Sequence, residues 1–211
     1  MDLKNWLLGN YIEVFGAATG IIYVFLEIRQ SIWLWPVGIL TSAVYIWVFF
    51  TSKIYADMSL QGYYLIISIL GWYWWARGTG DRGKGRRRAR EKAEMHVTRL
   101  KLRTGIILSI VFVLLYGVMY LILTRLTDSP VPVRDSFITS LSIIATWMLA
   151  RKIFDHWYLW IVVNFVSAVL FMTRELYPTV ILYLVYGFMS FAGLVEWKKS
   201  IKTDLTVTDY E

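Results

Sequence analysis

Trp157, Trp160 and Asn164 stand at i, i+3 and i+7, a spacing that puts two indoles and an amide on one face of a helix. Gln61, Tyr64, Ser68 and Trp75 follow the same rhythm, Trp35, Ser42 and Tyr45 form a third set, and Tyr183, Tyr186 and Ser190 a fourth. Flat π faces with amides and hydroxyls between them suit a planar, polar, cationic heterocycle: the rings stack on it and attract its charge, while the amides read its donors and acceptors. A bare metal ion wants clustered carboxylates or histidines instead, so no metal and no cofactor is expected. The chain has no cysteine, which excludes disulfides, thiolate metal sites and thiol nucleophiles. His96 and His156 lie in different segments, one expected in a solvated loop and one at a membrane interface, and neither H-E-x-x-H nor G-x-S-x-G occurs. No candidate span holds a lysine for a retinal-type Schiff base. The pattern points to binding rather than catalysis, with transport ahead of a receptor or scaffold role and no enzyme activity expected.

The elements that must carry these faces follow from composition. Of the 211 residues 57% are hydrophobic, above the 45–50% or so of a soluble domain, so lipid is the expected solvent. Apolar stretches of about 20 residues place seven spans, near Tyr11–Leu26, Trp33–Phe50, Asp57–Ala76, Thr104–Thr124, Asp135–Ala150, His156–Met172 and Pro178–Trp197, with Pro130 and Pro132 marking the turn before the fifth. The opening Met1-Asp2-Leu3-Lys4-Asn5-Trp6 lacks a cleavable signal pattern. Acidic residues near the spans, Glu13, Glu27, Asp57, Asp155 and Glu175, fall mostly at their ends, and Gly16 with Gly20 makes a small-xxx-small packing pattern.

The net charge of +7 belongs to one segment: Arg77 to Arg103 holds eleven of the 22 Lys and Arg against three acids. Within it Gly78–Gly83 fits G-x-G-x-x-G and Gly78–Lys84 most of a phosphate loop, but Gly85 replaces the magnesium-holding Ser or Thr and a membrane span replaces the preceding strand. The segment is expected to be a cytoplasmic loop that fixes topology, with no nucleic-acid partner. With the N-terminus outside, seventeen basic residues fall inside and five outside, which orients the chain N-terminus out and C-terminus in.

Spans one to three and five to seven align without a gap at an offset of 122, with matches including Arg29/Arg151, Trp35/Trp157, Tyr64/Tyr186, Ser68/Ser190, Gly71/Gly193 and Trp75/Trp197. A fourth span between two three-helix units makes the repeats parallel, a build found among transporters. The expected fold is thus all-α: one polytopic membrane domain over 1–211, with repeat 1 at about 11–76, a basic loop at 77–103, a linking helix at 104–124, repeat 2 at about 135–197 and a tail at 198–211, in a 3+1+3 plan.

On these residues the sequence resembles the PnuC family of bacterial vitamin transporters over nearly its whole length. The marks are Trp157-x-x-Trp160-x-x-x-Asn164, Gln61 with Tyr64 and Gly71-Trp72-Tyr73-Trp74, Leu149-Ala150-Arg151-Lys152, and the Leu176-Tyr177…Leu182-Tyr183 stretch. The resemblance implies a 3+1+3 helix bundle, a homotrimer, in the bacterial inner membrane, passing a dephosphorylated vitamin by facilitated diffusion while a cytoplasmic kinase traps it. It also implies that Trp157, Trp160 and Asn164 line the substrate site and that Gln61 is similar to the family's span-three glutamine. Gln61 with Asn164 looks more like the nicotinamide riboside pattern. Trp33-Leu34-Trp35-Pro36 departs from it and keeps thiamine as the alternative, and riboflavin users share the fold.

Overall fold

The computed structural model describes residues 11–51, 55–77, 95–127 and 130–208. The basic run with its two glycine patterns, Gly78 to Arg90, lies outside them, as does the chain opening. Among the described residues the fold is all-helical, with α1 Tyr11–Ile28, α2 Leu34–Thr51, α3 Tyr55–Arg77, α4 Leu102–Arg125, α5 Pro132–Ala150, α6 His156–Met172 and α7 Tyr177–Thr208. Each expected span is one of these helices. α2, α4 and the Tyr177–Ile201 part of α7 are long and apolar enough to cross a membrane by length and composition, and Val14–Ile28 and α6 are shorter apolar helices.

Most boundaries shift by one or two residues from the sequence reading, and two shift further, each for a physical reason. α5 starts at Pro132 rather than Asp135, because proline's fixed φ suits the first helical position, where its missing N–H costs nothing. α7 continues to Thr208 instead of stopping at Trp197, so 198–208 is helix rather than tail. Lys198-Lys199-Ser200-Ile201-Lys202 contains no glycine or proline to stop it.

The chain forms two compact units that divide between Tyr73 and Trp74. In the first, α1 packs on α2. The Tyr45 ring fills the space over Gly16, its hydroxyl donates to the Ile12 carbonyl at 3.4 Å, and its ring lies 6.5 Å from Phe15. Gly16 of the small-residue pattern is therefore a packing position. Trp35, fully buried, lays the six-membered part of its indole against Gly71 of α3.

In the second unit α4 packs on α5, α5 on α6 and α6 on α7. Leu108, Phe112 and Leu115 of α4 meet Ile144 and Met148 of α5. Small side chains (Ser136, Ser140, Ser142, Ala145, Thr146, Ala150) share the buried surface of α5 with Ile144, Met148 and Leu149, and small residues allow the close backbone approach that drives helix packing. Met95 and Val97 are buried while His96 and Thr98 are exposed, so the end of the basic segment docks on the protein. Thr98 receives Phe154 N–H at 2.8 Å and gives its own N–H to Lys152 O at 3.0 Å.

One turn geometry recurs at the offset of 122. After α1, Gln30 takes φ 51°, Ser31 N–H reaches Leu26 O at 2.9 Å and Gln30 N–H reaches Glu27 O at 3.0 Å. After α5, Lys152 takes φ 50°, Ile153 N–H reaches Met148 O at 2.9 Å and Lys152 N–H reaches Leu149 O at 2.9 Å. Both are Schellman motifs with a left-handed residue that closes the helix. The tryptophan–glycine contact recurs too: Trp157 lies against Gly193 through the same ring atoms, Cη2, Cζ2 and Cζ3, that Trp35 presents to Gly71.

A methyl group at either glycine would overlap a buried indole that cannot swing away. Gly193→Ala should lower stability by about 1–3 kcal/mol, read as a fall in unfolding temperature in detergent. Adding Trp157→Phe, which removes the overlapping ring, should recover most of it.

Candidate functional site

α6 begins where the backbone leaves the α5 turn. Asp155 precedes it, but its carboxylate caps no α6 N–H; Oδ2 instead accepts the Leu100 N–H at 2.7 Å. His156 is fully buried, with Nδ1 2.7 Å from Ile153 O. Its ring sits 4.7 Å from Trp157 and 4.8 Å from Trp197, and Trp157 meets Trp197 edge-on at 5.8 Å. This aromatic cluster holds Trp157 in the protein interior at 0% exposure. Trp75, 6.5 Å from Trp197, completes it and donates its indole N–H to Ala150 O at 3.2 Å.

Further along the same face of α6, Asn164 Nδ2 donates to Ser190 Oγ at 3.1 Å, and Ser190 donates to Tyr186 O at 2.8 Å. The Asn164 carbonyl makes no hydrogen bond among the described residues. Tyr186 stands edge-on to Tyr183 at 6.0 Å, and Tyr183 stacks on Phe171 at 5.2 Å. The structure thus joins the Trp157–Asn164 face of α6 to the Tyr183–Trp197 face of α7.

Among the described residues of this unit, four polar atoms are buried without a hydrogen-bond partner: the indole N–H groups of Trp157 and Trp160 and the hydroxyls of Ser140 and Ser167. Each such group costs about 1–3 kcal/mol. Three of the four share one face of α6, and an acceptor-bearing solute seated on that face would recover their cost. Ser167 stands three residues past Asn164, so the i, i+3, i+7 spacing extended to i+10 would have found it. Ser140 carried no such signal, since the other α5 hydroxyls serve packing.

The remaining candidates lie in the first unit. Trp35 is buried on Gly71, and Tyr45 spends its hydroxyl on α1. Gln61 and Tyr64 are half-buried on α3, with Tyr64 edge-on to Tyr63 at 5.5 Å. The sequence reading put Glu27 at a helix end; it is there, but buried to 2% exposure. Among the described residues no group of three metal-ligating side chains occurs.

The sequence profile described as nicotinamide mononucleotide transporter matches residues 10–199. The chain belongs to this transporter family. Relatives of the PnuC type include the nicotinamide riboside transporter PnuC of Escherichia coli K12, 25% identical over 92% of this chain and 87% of its own. The riboflavin/roseoflavin transporter RibM of Streptomyces davaonensis is 24% identical over 88% of this chain and 83% of its own. The fold is that of the crystal structure of the vitamin B3 transporter PnuC, with a TM-score of 0.69 and 24% identity over 92% of this chain and 83% of that one. Family, relatives and apolar helices make this PnuC-family chain a multi-pass transporter of the bacterial inner membrane.

If the Trp160 N–H is held for a solute, it contributes nothing to the empty protein. Trp160→Phe should leave the unfolding temperature of the solute-free protein unchanged or raise it. A fall worth about 1–3 kcal/mol would mean that the N–H has a structural partner.

Proposed function

We propose that the protein carries nicotinamide riboside across the membrane by facilitated diffusion, with a cytoplasmic kinase trapping the solute by phosphorylation. The observation that carries this reading is the α6 face, where two buried indole N–H donors without acceptors flank Asn164. A pyridinium ring stacks on the partly exposed Trp160 indole with cation–π gain, while the packed Trp157 offers its N–H. Its carboxamide and ribose oxygens supply the acceptors that Trp157, Trp160 and Ser167 lack, and the Asn164 carbonyl takes a donor. Tyr183 and Tyr186 extend the lining.

A phosphorylated solute fits less well. A phosphate at membrane depth needs a lysine or arginine beside it, and in the sequence none falls between Arg29 and Lys53, or between Lys152 and Arg174. The names of the PnuC relatives favour nicotinamide riboside, and that of RibM makes riboflavin the second reading. Thiamine, another cationic aromatic, satisfies the same stacking argument. The 3+1+3 arrangement with the N-terminus outside is part of this proposal, supported by the recurring turn and the recurring tryptophan–glycine contact. Transport would proceed by alternating exposure of the site to the two sides, without ATP. A homotrimer is proposed on the sequence resemblance alone.

Titrating purified protein with nicotinamide riboside, thiamine and riboflavin, read by tryptophan fluorescence, should give the tightest binding for nicotinamide riboside. No binding better than roughly millimolar for any of the three would overturn the vitamin reading. Asn164→Leu should weaken binding at least about 100-fold, the loss expected when a buried polar readout is removed. The protein should stay folded, because Ser190 retains its bond to Tyr186. Gln61→Leu asks separately whether the first unit acts on the same solute.

A further inference from the structure

The surface of α4 carries a feature that vitamin transport does not use. No residue of this helix is buried. On the side away from its α5 contacts, Leu102, Gly105, Ile106, Ser109, Ile110, Val113 and Leu114 form a stripe at helical spacing. With Leu100, Lys101 and Asp155 at one end they line a groove of about 710 Å³. Ser109, its one hydroxyl, is turned back onto Gly105 O at 3.0 Å, so the groove floor is apolar. Leu102 to Leu114 rises roughly 18 Å at 1.5 Å per residue, close to the ~15 Å depth of one leaflet's hydrocarbon.

The end of the groove is charged. Lys101 and Arg103 are exposed and make no ion pair among the described residues, and Arg99 stands 5.9 Å over the Phe154 ring. Asp155 is the one carboxylate lining the groove, and one of its oxygens is held by the Leu100 N–H. The first turn of α4 carries no acid and Lys101 provides no side-chain cap, so the helix's leading N–H groups and positive dipole end point to the same place.

We propose that this groove seats an anionic diacyl phospholipid, with an acyl chain along Ile106, Ile110 and Val113 and its phosphate at Lys101, Arg103 and the α4 N-terminus. Lys101 lines the groove with Arg99 and Arg103 two residues to either side in sequence, and the one carboxylate of the lining is engaged by Leu100 N–H, so this basic end selects an anionic headgroup over a zwitterionic one. The apolar floor, one leaflet deep, selects a lipid tail over a soluble anion.

The test is retention of lipid by the full chain purified in detergent, exposed to equal amounts of phosphatidylglycerol and phosphatidylcholine with the same tails and read by native mass spectrometry. Phosphatidylglycerol should be retained at least tenfold over phosphatidylcholine. Lys101→Ala with Arg103→Ala should lower phosphatidylglycerol retention by roughly thirtyfold, the loss expected for two cations at a charged headgroup. Ile110→Trp fills the groove at a side chain 57% exposed, so the fold survives, and it should displace both lipids with an unchanged circular dichroism spectrum. Equal retention of the two lipids by the unaltered protein would overturn the proposal, as would full retention by the filled groove. A filled groove that keeps its lipid but breaks the protein into smaller assemblies would also overturn it, in favour of a second copy of the chain as occupant.

Discussion

Hydrocarbon offers no hydrogen bonds, so a polar group that faces it or the dry interior must find a partner within the protein or pay several kcal/mol. That rule sorts the polar side chains of the second unit into two kinds. Ser136, Ser142, Thr146 and Ser190 return their hydroxyls to the carbonyl one turn earlier, and Trp75 gives its N–H to Ala150. They cost nothing and help helices approach. Trp157, Trp160, Ser140 and Ser167 break the rule. The satisfied groups build the scaffold, and the unsatisfied ones on α6 are those the proposed solute would engage.

The scaffold gives the unsatisfied groups their rigidity. Trp157 is gripped on one side by Gly193 and on the other by His156 and Trp197, while Asn164 is tied through Ser190 to the backbone of α7 at Tyr186. A site built from helix faces locked by packing holds its donors in fixed positions, so a solute need not organise them on arrival. The left-handed residues Gln30, Lys152 and Glu175 set where α1, α5 and α6 end, and Lys152 also places its ammonium 4.5 Å from the Trp75 ring.

Much of this was legible in the residues because bilayer thickness imposes a length and helices impose a period. Seven apolar runs gave seven helices, and the i, i+3, i+7 spacing of Trp157, Trp160 and Asn164 put them on the face that meets α7. What stayed hidden depends on contacts between distant segments. The burial of His156 comes from Trp197, some forty residues away in sequence. The docking of Thr98 between Lys152 and Phe154 turns the end of a basic loop into ordered structure, although the alternation of Met95 and Val97 with His96 and Thr98 was there to be read. Charge density hid it: eleven cations made the whole segment look solvated.

The tryptophan–glycine interlock also bears on how such a protein changes its cargo over generations. An indole seated in the space left by a missing side chain makes one shape out of two positions, so neither can drift while the other stands still. Trp157 and Gly193 are bound in this way, as are Trp35 and Gly71. Relatives that handle chemically different vitamins on one scaffold would then diverge outside the interlocked pairs, which hold the frame in which that divergence takes place.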